Sequence, residues 1–155
     1  MNLLNSTQIE KLVVRHFNPR ANIIVPNVSW GLLQYEADLV ILRPSMYAIE
    51  VEIKTSKADI KRDLLKRHSH DSDLFRELWF AIPEALKDDV NIPTKAGIMA
   101  VEKRRNGVGF QLRIVRRGTL NKYASKWTPT QKDKLLNLGC MRIWSLKEAL
   151  WRKEQ

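Results

Sequence analysis

Asp38, Glu52 and Lys54 are the residues of this chain whose types and spacing can do chemistry. Side chains alternate across a β-strand, so Glu52 and Lys54, two positions apart, share one face of theirs. If Asp38 reaches the same face from a neighbouring strand, two carboxylates offer hard oxygens to Mg²⁺ or Mn²⁺, and a backbone carbonyl such as that of Ile53 adds a third. Such an ion lowers the pKa of its water and neutralises the charge that builds on a phosphate. Lysine is a compact positive charge that orients that water, or helps deprotonate it, and stabilises the transition state. The chemistry expected is hydrolysis of a phosphodiester. Glu36 and Glu50 in the same stretch, and Glu10 upstream, are candidate auxiliary acids. Glu10 has an equally good structural explanation, a capping box with Thr7.

The elements that must position these groups are two apolar runs, 36–42 and 46–53, that read as a hairpin turning near Arg43, Pro44 and Ser45. Its register decides the chemistry. An odd loop of Pro44, Ser45 and Met46, with Arg43 opposite Tyr47, sets Asp38 across from Glu52 and Glu36 across from Lys54, Cβ atoms about 5 Å apart. A two-residue loop sends the acids to opposite faces. Leu39, Val40, Ile41 and Leu42 opposite Ile49, Val51 and Ile53 indicate burial on much of both faces, where clustered acids need a cation or a basic neighbour.

Around the hairpin, the spacing of Ile9, Leu12, Val13 and Phe17 predicts a helix over 7–17, and 22–28 reads as a strand edged by Pro26. Ser56 would cap a helix over 57–67, in which Lys57, Lys61, Arg62, Lys66 and Arg67 alternate with Asp59 and Asp63 as a solvated face. Strands follow at 77–83, 96–102 and 109–116, with a short EALKDD helix after the first. Thr128, Pro129 and Gln131 open a helix that Gly139 would close, and Ser145 with Glu148 would open a last one. Cys140 reads as a small buried hydrophobe. Trp127, Trp144 and Trp151 read as packing residues rather than base-stacking platforms. His16, His68 and His70 lack the partners of a zinc site. The fold class expected is α/β or α+β, a central mixed sheet flanked by helices in one domain over 1–155.

Charge separates two jobs along the chain. Residues 1–102 carry 13 Lys and Arg against 14 Asp and Glu, whereas 103–155 carry 14 against 3, so the whole net charge of +10 sits in the last third. A concentrated basic surface gathers polyanions, and nucleic acid is the first partner to consider. Lys103, Arg104 and Arg105 beside Asn106 and Gly107 form a basic turn, and Arg113, Arg116 and Arg117 extend it. Ser56 and Lys57 would meet phosphate at a helix N-terminus. No apolar run reaches bilayer length and the N-terminus lacks a signal-peptide pattern, so the expectation is a cytoplasmic protein without a membrane partner.

EAD at 36–38 and EIK at 52–54 resemble the signature of the PD-(D/E)XK nuclease superfamily. KTSKADIKRD (54–63), LWFAIP (78–83) and KAGIMAVE (95–102) extend the resemblance to the MmcB-like DNA-repair protein family within it. The resemblance implies a restriction-endonuclease-like core and a metal-dependent deoxyribonuclease in which Asp38, Glu52 and Lys54 act as above. Glu50 is an acid beyond that pattern. The expected function is a Mg²⁺- or Mn²⁺-dependent endonuclease acting on DNA in repair, recombination or mobile-element processing, as a homodimer or with other proteins of that traffic. The alternative is a nuclease fold kept as a non-catalytic DNA-binding module.

Overall fold

A computed structural model describes residues 4–29, 31–65 and 72–155. Helix α1 (Ser6–Phe17) leads into strands β1 (Ile23–Val28), β2 (Ala37–Leu42) and β3 (Ala48–Ile53), then helix α2 (Lys57–Leu64), β4 (Phe75–Pro83), a 3₁₀ turn (Glu84–Leu86), β5 (Gly97–Lys103), β6 (Phe110–Arg116) and helix α3 (Pro129–Lys153). All six strands belong to one sheet in sequence order. The β3–β4 and β4–β5 pairs are parallel and the others antiparallel, giving a mixed α+β fold. Both parallel links cross the same face, since Ile60 of α2 and Ile92 before β5 pack in one cluster with Leu78, Phe80 and Ile82. Edge strand β1 tolerates Pro26, which has no N–H to give a neighbour.

Alternation along the strands sorts the core. Odd-numbered Leu39, Ile41, Ile49 and Val51 meet Ile9, Val13 and Phe17 of α1, together with Trp79 and Met99. Gly97 leaves room for this packing, because a Cβ there would lie 2.4 Å from the Trp79 ring. Even-numbered Val40, Leu42 and Ala48 pack on the opposite side with Phe75, Trp127 and Leu135. Glu50 and Glu52 therefore fall on a face that is apolar on both sides of them.

Three helix boundaries differ from the sequence reading. The capping box of α1 is formed by Asn5 and Gln8, each side chain bonded to the other's backbone N–H at 2.9 Å, rather than by Thr7 and Glu10. That frees Glu10 of a capping role. Helix α2 ends at Leu64 with Leu65 as its C-cap, and Lys66, Arg67, His68 and His70 lie outside the described residues. Downstream, Thr128, Pro129 and Gln131 cap α3 as expected, but the helix runs unbroken through Gly139 and Ser145 to Lys153. Gly139 serves close approach, its missing Cβ sparing a 3.3 Å contact with Val25. The Ser145 hydroxyl donates to the Met141 carbonyl one turn back, as a serine inside a helix does.

Burial also departs from expectation on α3, where Leu135 alone is buried. Cys140, Trp144 and Trp151 are exposed, whereas Trp127 is buried and donates its indole N–H to the Leu74 carbonyl at 2.8 Å. Among the described residues no helix is long and apolar enough to cross a membrane.

Candidate active site

The hairpin turn has the odd length the chemistry requires. The Arg43 N–H donates to the Tyr47 carbonyl at 3.1 Å, leaving Pro44, Ser45 and Met46 as a three-residue loop. Met46 takes φ of 69°, the left-handed position such loops use. Val40 pairs with Glu50 and Leu39 with Val51, and one further step of that register sets Asp38 opposite Glu52. The ladder is locked there by the Asp38 carboxylate, whose Oδ2 accepts from the Ile53 N–H at 2.7 Å. On the other side the Lys54 N–H donates to the Ala81 carbonyl at 3.1 Å, fixing the lysine backbone to β4.

The side chains then converge. Lys54 Nζ lies 2.7 Å from Glu52 Oε2, 3.2 Å from Asp63 Oδ1 and 3.9 Å from Asp38 Oδ2. Glu52 has no exposed surface and Asp63 only 3%, while the Asp38 side chain is a third exposed. Glu50, also buried, accepts from the Tyr35 hydroxyl at 2.8 Å. Asp63 is the residue sequence reasoning misplaced. Assigned to a solvated helix face, it is instead buried one turn beyond Ile60, and that i, i+3 step from a core residue was the available signal. Tyr35 precedes β2 and gave no signal in its spacing.

Asp38, Glu52 and Asp63 surround the Lys54 ammonium, and among the described residues Glu52 Oε1 is buried with no hydrogen-bond partner. Burial first, then Asp38 and Glu50, push the Glu52 carboxyl up to about 8 against the opposing pull of Lys54. Burial favours neutral Lys54, yet Glu52, Asp38 and Asp63 together outweigh it and raise its pKa. Tyr35 is raised by burial and then by Glu50. Glu10 is raised by burial and then by Asp38, so α1 brings its carboxyl within electrostatic range of the site.

The donor set fits a hard divalent cation. It offers carboxylate oxygens, one of which, on Glu52, is buried and without a partner among the described residues. Among the described residues no three His, Cys, Asp or Glu side chains gather around a common point as ligands. An ion at Asp38 and Glu52 would thus draw on backbone, such as the Ile53 carbonyl, and on water.

The other expected site residues scatter. Glu36 is exposed and accepts from Asn27 Nδ2 at 3.0 Å, away from Lys54. Ser56 caps α2, accepting from the Asp59 N–H at 3.1 Å, with Lys57 exposed beside it. Lys103, Arg104 and Arg105 are exposed at the β5–β6 hairpin, where Gly107 and Gly109 take φ of 74° and 75°. Because β3, β4 and β5 run parallel, that hairpin leaves the same sheet end as Lys54, the end where open sheets commonly bind ligands. Arg113 is instead engaged by Glu84 at 2.8 Å and by Glu102 at 3.6 Å, and Arg116 by the Ala96 and Pro93 carbonyls at 3.1 and 2.8 Å. Arg117 is exposed and, after burial, is the next influence lowering the pKa of His16. A cleft of about 390 Å³ opens beside Glu50, with Arg76, Lys95, Lys122 and Tyr123 on its walls.

Neither the protein-family models nor the curated proteins include a match to this chain. Among solved structures, the chain is similar to the SPO1766 protein of unknown function from Silicibacter pomeroyi, with a TM-score of 0.65 and 18% identity over 99% of this chain and 96% of that one. At that identity the likeness is one of fold.

Proposed function

We propose that the protein is a metal-dependent deoxyribonuclease, an endonuclease of the PD-(D/E)XK kind. The observation that carries this reading is the meeting of Asp38, Glu52 and Lys54 at one sheet end, with a buried Glu52 oxygen that has no partner among the described residues. Asp38 and Glu52, with the Ile53 carbonyl, would hold Mg²⁺ or Mn²⁺. Such an ion, when bound, acidifies water and neutralises charge on the scissile phosphate. Asp38 is already aimed by the Ile53 N–H, and Glu52 is held in place by Lys54. The raised pKa of Lys54 keeps it cationic at neutral pH, which suits stabilising negative charge and orienting water better than removing a proton. Glu10, on the open side near Asp38, is an auxiliary acid. Grip on DNA would come from Lys57, the hairpin Lys103, Arg104 and Arg105, and Arg117, as phosphate contacts.

One observation favours a second reading. An ammonium surrounded by three carboxylates is also what a non-catalytic DNA-binding module on this fold would retain. A panel of duplex, branched and single-stranded DNA, with RNA as control, separates the two. The nuclease cuts with Mg²⁺ or Mn²⁺, stops with EDTA, and loses cleavage but not DNA binding in Lys54→Ala. Binding without cleavage across every metal and substrate would leave the module.

A further inference from the structure

Helix α3 outruns the fold it belongs to. Its first turns pack on β1 through Leu135 and the Gly139–Val25 approach. Beyond Gly139 its apolar side chains stay in solvent. Ile143, Leu146 and Leu150 are each more than half exposed, and Trp144 and Trp151 are exposed by 62% and 53%. At 100° per residue, these five with Leu136 occupy about 160° of the helix circumference, the width of a core-facing stripe. Lys147 is the charged residue inside that arc, and its ammonium lies 5.6 Å from the centre of the Trp144 ring. Arg142, Arg152 and Glu148 fall outside it, the last two paired at 2.6 Å.

The pattern specifies another helix as the cover. Leu136, Ile143 and Leu150 recur every seven residues, and Leu146 stands three after Ile143, as the a and d positions of a helix–helix seam do. The six side chains expose roughly 700 Å², above the roughly 300–600 Å² of the largest patch on a typical monomer and close to the roughly 800 Å² each partner gives a standard interface. Two copies of the stripe, placed face to face, offer an area of that order.

We infer that α3 is the interface of a two-fold homodimer, in which the 136–151 stripe of one copy packs antiparallel on the same stripe of another. Antiparallel pairing over the whole stripe brings Leu136 of one copy to Trp151 of the other and Ile143 to Trp144, and opposes the helix dipoles favourably. The dimer does not depend on the nuclease reading, although it would bring two sites to one duplex.

Sedimentation velocity on the full chain, from low to high micromolar protein in high salt, tests this. Wild type is expected at twice the monomer mass. Ile143→Asp combined with Leu150→Asp is expected to halve it while circular dichroism and Tm hold, both positions being exposed. Trp144→Ala with Trp151→Ala, a gentler change, is expected to shift the dimer midpoint to higher concentration. A wild type monomeric at every concentration overturns the proposal, as does a dimer that survives both variants. A monomer whose tryptophan emission shifts to the blue on anionic phosphatidylglycerol vesicles overturns it in favour of a membrane surface.

Discussion

Glu52 shows how much one side chain can report. Its carboxyl rises from the ordinary 4.5 to about 8 because burial, Asp38 and Glu50 all oppose its charge. The folded protein therefore binds this proton more tightly than the unfolded chain does. The associated stability is full below about pH 4.5 and is lost as pH rises through about 8. In ion-free buffer Tm should fall across that window, and Glu52→Gln should flatten the fall. Added Mg²⁺ should restore Tm on the alkaline side, where Glu52 is ionised, and have little effect on the acid side. Asp63, by contrast, lies 3.2 Å from the Lys54 ammonium, and on the proposed nuclease reading it would position that lysine. Asp63→Asn should lower kcat about 10–100-fold, the range for losing a carboxylate behind a metal site. DNA binding should hold, so that kcat falls with KM nearly unchanged. A purely structural Asp63 would lower Tm without that split.

At the scale of elements, the hairpin was readable because its chemistry and its burial make the same demand. A two-residue turn would have turned the acids to opposite faces, and the loop of Pro44, Ser45 and Met46 avoids that. The mixed sheet and the caps of α2 and α3 were likewise legible, since alternation and the Ser56 and Thr128 signals are local. What was not legible depends on contacts distant in sequence. Gly139 looked like a helix stop, and nothing near it in the chain announces Val25. Asp63 looked solvated because its partner, Lys54, lies on a strand rather than on its own helix. In the sequence the α1 cap reads as Thr7 with Glu10, whereas Asn5 and Gln8 form it, and mutation distinguishes the two. Asn5→Ala should destabilise by about 1 kcal/mol in denaturant unfolding, whereas Thr7→Ala should change stability by less than about 0.5 kcal/mol.

Over the whole molecule, charge is segregated: an acid-rich cluster at the carboxyl ends of β3 and β4, and a basic last third with 14 Lys and Arg against 3 acids. Lys103 and Arg105 are exposed at the β5–β6 hairpin, with Arg104 exposed beside them and its Nε donating to the Phe110 carbonyl at 3.2 Å. Lys103, Arg104 and Arg105 replaced together by Ala should weaken duplex binding and flatten its dependence on log salt by about 0.9 per lost phosphate contact. Arg113→Ala and Arg116→Ala should leave that slope nearly unchanged and lower stability instead, because their guanidinium groups are bonded to Glu84 and to the Pro93 and Ala96 carbonyls. These scales meet in the proposal that the carboxylates beside Lys54 serve to cut a phosphodiester. Single-turnover cleavage of end-labelled duplex DNA in Mg²⁺ or Mn²⁺ tests it most directly. The prediction is cleavage by wild type that EDTA stops, and a loss of about 10²–10³-fold in Lys54→Ala, as for removal of one transition-state donor. Cleavage that persists undiminished in Lys54→Ala and Glu52→Gln, or its absence from wild type with every metal, would contradict it.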